Sequence, residues 1–286
     1  MARHAAPAPA PAPPRAAGPT ERSSRWSTVF WAVSGVFAVL AAVVGVGVVA
    51  GEPRTVGPAA APAAPPVEID ELPLSSTYTS VDAAPLDPAP DARTDGVVVH
   101  PVRETVVHDA PAGRPIARLE PTQFGDTWLP LLAERGDWVQ VLLPSRPNGS
   151  TGWLPATDLD RATTPYRIEV HLGSRTLELF SGGELAGSWT VGIGKDSAPT
   201  PTGRTFLLGA FTDDAQDYSP VILPLGTHSP THDTFGGGPG TVAIHTWPTE
   251  DVYGTASSDG CIRVPPDALE RLAEVPLGTL VMIDEG

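Results

Sequence analysis

The sequence predicts a mainly β protein with one short helix in its folded part and one membrane-spanning helix near its N-terminus. Short segments with apolar residues at alternate positions recur from residue 93 onward, separated by Gly, Pro, Asn and Asp turns. A later segment, residues 265–275, begins with two prolines and continues with residue types that favour a helix. A run of 26 uncharged residues, 26–51, precedes both features.

Two segments with few large apolar side chains flank the uncharged run. Residues 1–25 consist mainly of alanine and proline with scattered arginines, and residues 52–92 combine alanine, proline and acidic residues. Neither composition buries enough apolar surface to offset the entropy lost on ordering. We therefore expect a disordered arm at 1–25 and an extended, disordered linker at 52–92.

The uncharged run is long enough to cross a membrane. At 1.5 Å per residue, a helix over residues 26–51 exceeds the hydrocarbon thickness of about 30 Å. Arginines precede the run and acidic residues follow it, so the positive-inside rule places the N-terminus in the cytoplasm. This predicts a single-pass protein of the cell membrane whose folded part lies outside, on the cell-wall side. A cleaved signal peptide is the alternative, but its apolar core would span only about 7–15 residues.

Residues 93–162 predict a small β domain. The stretches VVHDAPAGRPIA and GDWVQVLLPSRPNGSTGWL alternate apolar and polar residues between turn signals, which predicts about five short strands. A segment with many short strands and so few residues can close into a small barrel. The two stretches resemble the SH3-like modules of exported bacterial wall proteins.

Residues 164–286 predict a second β domain. The stretch YRIEVHLGSRTLELFSGGELAGSWTVGIG predicts successive hairpins with turns at GS and SGG. The helix has proline at its start and Asp267 in or before its first turn, and LGTLVMI follows as a final strand. We predict a β-sandwich with one short capping helix.

Cys261 is the only cysteine in the chain. Exported chains that use cysteine for stability use it in pairs, so this thiol is either an inert buried residue or a reagent. A cysteine nucleophile needs a base, backbone N–H donors for the developing oxyanion, and a third group that fixes the tautomer of the base.

His245, at the end of the apolar strand VAI, is the candidate base. The chain between His245 and Cys261 is long enough to loop out and return, which would place the two side chains side by side. Gly260 permits a tight turn that aims consecutive amides at one point, and Arg263 would share a face with Cys261. A small buried thiol, a satisfied core histidine and a solvated arginine are the structural interpretations of the same residues. The spacing alone does not decide between them.

Two classes of partner are not expected. The chain is acidic, with a net charge of −15, and lacks the basic patch that nucleic acid requires. The stretch THSPTHD brings His228, His232 and Asp233 close in sequence, but Pro230 prevents a helix from presenting both imidazoles on one face. We therefore predict no nucleic-acid partner and no metal site.

Three stretches resemble the signature of the YkuD-type L,D-transpeptidases. They are IHT at 244–246, SDGCIR at 258–263, and VGIGKDSAPTPTGRTFLL upstream. In that family a strand ends in His–Gly, and a loop then leads to Ser/Thr–x–Gly–Cys–hydrophobic–Arg/Asn. The resemblance extends from Tyr166 to Ile283. Together with the predicted anchor and SH3-like module, it indicates the membrane-anchored actinobacterial type.

The resemblance implies roles for the central residues. Cys261 would be the nucleophile and His245 the base. Thr246 replaces the usual glycine, so either its carbonyl or its hydroxyl would orient the imidazole.

The resemblance also implies roles for the loop around the thiol. The amides around Asp259, Gly260 and Cys261 would form the oxyanion hole. Ser258 and Arg263 would brace the loop and position the donor peptide. Asp259 stands where many members have histidine, and we expect its carboxylate to point away from the thiol.

The implied substrate is the peptide stem of peptidoglycan, and no cofactor is implied. Cys261 would attack the carbonyl of the third-position diamino acid and expel the terminal D-alanine. The amine of a second stem would then take the acyl group, which cross-links two third-position residues. A thiolate–imidazolium pair would set the pH dependence. The alternatives are a sortase-like cysteine transpeptidase, whose His and Arg spacings do not fit, and a catalytically inactive wall-binding or scaffold protein.

Overall fold

The computed structural model describes residues 68–235 and 237–286, so the predicted arm and membrane span lie outside the described ranges. Within those ranges, no helix is both long enough and apolar enough to cross a membrane. The described chain is mainly β with one short α-helix, which confirms the predicted class at that level.

The first β region is a seven-stranded antiparallel sheet. Its strands are β1 (Val97–Pro101), β2 (Thr105–His108), β3 (Pro115–Leu119), β4 (Leu129–Arg135), β5 (Trp138–Leu142), β6 (Thr151–Pro155) and β7 (Leu159–Thr163). They follow the order β3-β2-β6-β5-β4-β1-β7. The sequence predicted about five strands. The structure has seven; the LDRAT segment of β7 is largely exposed and lacks alternation, and pairing with β1 along its whole length holds it in place.

The second β region contains the remaining strands and the helix. They are β8 (Tyr166–His171), β9 (Thr176–Ser181), β10 (Glu184–Thr190), β11 (Ile193–Gly194), β12 (Gly203–Phe206), β13 (Leu223–His228), β14 (Thr241–His245), β15 (Ala256–Ser258), β16 (Ile262–Arg263), α1 (Pro266–Ala273) and β17 (Leu280–Asp284). A five-stranded sheet runs β10-β9-β8-β17-β12, a three-stranded sheet runs β13-β14-β16, and β11 pairs with β15.

One apolar core joins the five-stranded sheet, the three-stranded sheet and α1. Ile168 of β8, Ile244 of β14 and Ile262 of β16 are among its fully buried members. The helix begins with Pro266, whose fixed φ suits the first helical turn. Its Leu269 is buried in the same core, which ties the helix to the back of β14 and β16.

The predicted disordered linker differs from the structure over residues 68–92, which we call the strap. Residues 52–67 lie outside the described ranges. The strap packs on the first β region, where Leu74 forms a β-bridge with Arg118. Its buried apolar side chains are Leu72, Val81 and Ala84. Composition alone predicts disorder because these few side chains cannot form a core together, but the neighbouring β region buries them.

A buried ion pair joins the strap to the second β region. Arg204 of β12 donates from Nε to Oδ2 of Asp87 at 2.5 Å and from Nη2 to Oδ1 at 2.7 Å. Its Nη1 donates to the carbonyl of Ala92 at 2.9 Å. The two side chains are only 6% and 2% exposed, so the strap shields both charges from solvent.

The loop between β5 and β6 forms hydrogen bonds with the second β region. The side chain of Asn148 donates to the carbonyl of His228 at 2.7 Å and accepts from its amide at 2.8 Å. Arg146 donates to three carbonyls between β13 and β14, those of Ser229, His232 and Pro239. The two β regions are therefore connected by hydrogen bonds at the point where β13 ends.

Replacing Asn148 with alanine should lower the free energy of unfolding by about 1–3 kcal/mol, because the buried amide and carbonyl of His228 lose their partners. Urea unfolding of the full-length chain measures the loss. Asn148→Asp keeps the acceptor for the His228 amide but sets a carboxylate oxygen against the His228 carbonyl, so it should not recover the lost stability. Equal stability of Asn148→Ala and the wild type would contradict this role.

Candidate active site

Two adjacent parallel strands place His245 and Cys261 on one face. Ile244 of β14 pairs with Ile262 of β16, and His245 pairs with Arg263. The two isoleucines point into the core, so alternation directs His245, Arg263 and the preceding Cys261 to the opposite face. No direct hydrogen bond joins the described side chains of His245 and Cys261.

The backbone carbonyl of Thr246 orients the His245 ring. Nδ1 of His245 donates to this carbonyl at 2.7 Å. The Thr246 hydroxyl instead donates to the carbonyl of Tyr218 at 2.8 Å, and the Thr246 amide donates to Oγ of Ser219 at 3.0 Å. Of the two orienting groups that the sequence left open, the carbonyl contacts the ring. With its proton on Nδ1, the imidazole keeps a lone pair on Nε2.

Burial shifts the pKa values of His245 and Cys261 so that the uncharged form of each side chain is favoured. It lowers the pKa of His245 to about 4, while the hydrogen bond to Thr246 raises it and the positive charge of Arg263 lowers it further. Burial also raises the pKa of the Cys261 thiol, although the residue keeps some exposed surface. The expected thiolate–imidazolium pair therefore differs from the structure, where a neutral thiol and a neutral imidazole are favoured at neutral pH.

The loop before the thiol is fixed by side-chain hydrogen bonds. Oγ of Ser258 donates to the carbonyl of Cys261 at 2.6 Å and accepts from the amide of Gly260 at 3.2 Å. Thr200 donates to the carbonyl of Gly260 at 2.8 Å. Gly260 has a φ of 116°, which a residue with a side chain rarely adopts.

These bonds decide which amides are available to an oxyanion. The Gly260 amide is already bonded to Ser258. The amides of Asp259 and Cys261 have no hydrogen-bond acceptor within the described ranges. They are the donors that the loop can offer to a reacting carbonyl.

Two charged side chains lie beside the thiol. Asp259 points to Lys195, with Oδ1 and Nζ 2.6 Å apart. Arg263 places its guanidinium carbon 3.8 Å from the ring centroid of Trp247 and donates from Nη1 to Oγ of Ser257 at 3.4 Å. Its Nε is buried without a partner in the described part of the chain. A guanidinium only donates, so Arg263 retains N–H donors that can bind an oxygen of a ligand.

Sequence reasoning missed three residues of this site. Tyr218 lies with its ring centroid 5.0 Å from that of His245 and 5.3 Å from that of Trp247. Lys195 contacts the loop from a distant part of the sequence. Tyr218 stands in a long irregular loop, where no periodicity or motif could have identified it. Trp247 follows the His245 motif closely enough to have been considered.

A mainly apolar cavity of ≈ 290 Å³ opens next to Thr246. It lies between the segment after Tyr218 and helix α1. Its apolar lining residues are Pro220, Val221, Pro266, Leu269 and Ala273. The cavity offers room for small apolar groups beside the His245 strand.

The histidines weighed as metal ligands have other partners. Nε2 of the buried His228 bonds to the carbonyl of Thr77 at 2.9 Å. Nδ1 of His232 contacts the hydroxyls of Thr231 and Ser229. A separate group of possible ligands comprises Glu169, His171 and Glu178. Arg93 and Arg167 already neutralise Glu169, so this group is poorly suited to a cation.

Known proteins match the region that contains this site. The YkuD family, described as an L,D-transpeptidase catalytic domain, matches residues 165–283. The YkuD protein of Bacillus subtilis (strain 168) is 27% identical over 167 residues, which cover 56% of this chain and 94% of that protein. The YkuD protein of Bacillus licheniformis (strain ATCC 14580) is 32% identical over 122 residues, which cover 42% and 67%. Both relatives are classed as L,D-transpeptidases.

One solved structure is the catalytic domain of an L,D-transpeptidase from E. faecium, determined by NMR. It is 26% identical, the match covers 42% of this chain and 96% of that one, and the TM-score is 0.32. The assignment rests on the matched family and on the two sequence relatives. The chain belongs to the YkuD family of L,D-transpeptidases.

Proposed function

We propose that this chain cross-links peptidoglycan by acyl transfer through Cys261. The observation that carries the proposal is the parallel pairing of β14 with β16, which sets His245 opposite Arg263, two residues after Cys261. The Thr246 carbonyl supports it, because a ring protonated at Nδ1 has a free Nε2 to accept the thiol proton. The family of the chain supports the reaction class.

In the first step, Sγ of Cys261 attacks the carbonyl carbon of the third-position diamino acid. His245 takes the thiol proton and passes it to the leaving amine. A C–S bond forms, the C–N bond to D-alanine breaks, and a thioester remains. The amides of Asp259 and Cys261 stabilise the oxyanion, and Arg263 positions the donor peptide.

In the second step, the side-chain amine of another stem attacks the thioester. A C–N bond forms between two third-position residues and the C–S bond breaks. The amine proton returns through His245 to the thiol. The neutral resting pair suits this cycle, because the imidazole starts and ends as a base.

Product analysis with the full-length chain tests the proposal. Disaccharide-tetrapeptides should give free D-alanine and a dimer whose mass is that of two stems minus one D-alanine. Protein first blocked with iodoacetamide is the control, because Cys261 is the only cysteine and alkylation elsewhere on sulfur is restricted to methionine. Unchanged stems with unblocked protein would contradict the proposal and favour the inactive scaffold.

We further propose that residues 26–51 anchor the chain in the cell membrane and that residues 93–162 form an SH3-like module on the wall side. The uncharged run and the preceding arginines support the anchor. Membrane fractionation tests it: the full-length chain should sediment with membranes, and a chain lacking residues 1–51 should not.

A further inference from the structure

Lys195 is the only lysine in the chain, and arginine supplies every other strongly basic side chain. Its Nζ lies 2.6 Å from Oδ1 of Asp259, two residues before Cys261. We propose that Lys195 is a positioning residue that neutralises Asp259 and thereby keeps Cys261 reactive. This inference rests on the proposed function, since it takes Cys261 as the nucleophile.

The backbone around Lys195 is attached to the loop that carries the thiol. The Lys195 amide donates to the carbonyl of Ser258 at 3.0 Å. The Gly194 amide donates to Oγ1 of Thr200 at 2.9 Å, and that hydroxyl donates to the carbonyl of Gly260 at 2.8 Å. These bonds join the two segments on both sides of Asp259. The backbone bonds therefore keep the segment that carries Lys195 next to the segment that carries Asp259.

Lys195 keeps Asp259 ionised and balances its charge. The hydrogen bond from Lys195 is the largest cause that lowers the pKa of Asp259. An ionised Asp259 raises the pKa of the Cys261 thiol, whereas Arg263 lowers it. The ammonium group is in contact with the carboxylate and carries the opposite charge, so it opposes the field of the carboxylate at the sulfur.

Other ionisable groups also face this region. Tyr218 and His245 flank the thiol from other segments, and His232 lies near enough to Asp259 to act on its charge. None of these side chains forms a salt bridge with Asp259 in the described part of the chain. Arg263 also acts on the charge of Asp259, but Lys195 is the cation in direct contact with the carboxylate, so its removal should leave that charge only partly balanced.

The pH dependence of iodoacetamide alkylation of the full-length chain tests this inference. Lys195→Met should raise the pH midpoint by about 0.5–1 unit, which makes alkylation about three- to tenfold slower at pH 7. Asp259→Asn should lower the midpoint. The double variant Lys195→Met/Asp259→Asn removes both charges of the contact pair and should return the midpoint close to that of the wild type.

Two controls separate charge from structure. Lys195→Arg keeps the positive charge and should retain the wild-type midpoint. Arg271→Met removes one positive charge from helix α1, away from the thiol, and should also leave the midpoint unchanged.

An unshifted midpoint in Lys195→Met would overturn the inference, and so would a midpoint in the double variant as high as that of Lys195→Met alone. The readout needs no peptidoglycan. Absence of cross-linked product together with the expected shifts would therefore contradict only the proposed function. Normal cross-linking with an unshifted midpoint would contradict only the role of Lys195.

Discussion

Replacement of His245 by glutamine is expected to slow acyl transfer by about 10²–10⁴-fold, the contribution of a well-placed general base. Glutamine keeps a polar side chain but cannot accept the thiol proton at neutral pH. The hydrogen bond from Nδ1 to the Thr246 carbonyl, 2.7 Å long, directs the basic nitrogen of the wild-type ring away from the backbone. Release of D-alanine measures the rate, with Cys261→Ser as the background.

The pH profile separates loss of the base from a general loss of structure. Since burial lowers the pKa of His245 to about 4, the imidazole is neutral and basic above that pH and is protonated below it. The wild-type rate should therefore fall as the pH drops through about 4. If His245→Gln kept the wild-type rate at neutral pH and lost it over the same pH range, another group would be taking the proton.

Replacement of Asp87 by alanine is expected to lower the free energy of unfolding by about 3–5 kcal/mol, because it leaves the buried Arg204 without its carboxylate. Both oxygens of Asp87 accept hydrogen bonds from this guanidinium, so the loss affects two contacts. Urea unfolding of the full-length chain measures the change. Asp91→Ala, at an exposed aspartate of the same strap, should be nearly neutral.

A double variant tests the cause of this loss. Asp87→Ala combined with Arg204→Met removes both buried charges, and it should be more stable than Asp87→Ala alone. If Asp87→Ala lowered the free energy of unfolding by less than about 1 kcal/mol, the contact between Asp87 and Arg204 would contribute no more than a solvent-exposed ion pair, which would contradict its burial.

Local patterns predicted the elements that depend on local chemistry. The alternation in YRIEVH and TLELFS predicted strands because one face of each is buried, and Pro266 correctly marked the start of α1. The prediction of disorder for the strap was wrong, because the order of the strap does not depend on local chemistry. Its order comes from Arg204 and from apolar surface far along the chain, which composition does not reveal.

In the candidate site, too, local features could be predicted from the sequence and long-range contacts could not. The return of the chain from His245 to Cys261 follows from a strand, a loop and a turn glycine: His245 ends β14, and Cys261 immediately precedes the neighbouring strand β16. The partner of Asp259 could not be predicted, since Lys195 lies far away in sequence. The choice between the carbonyl and the hydroxyl of Thr246 depends on a rotamer, which the sequence does not determine.

A cysteine that stays protonated at rest is also protected from chemical damage. Peroxides attack the thiolate, and the first product, a sulfenic acid, leads on to irreversibly oxidised forms. Since burial favours the thiol at Cys261, the residue should resist oxidants until His245 takes its proton during the reaction with a bound stem. Slow sulfenic acid formation in hydrogen peroxide at pH 7 would be the measurable sign. The burial that lowers the nucleophilicity of the Cys261 sulfur would then also slow its inactivation by oxidants.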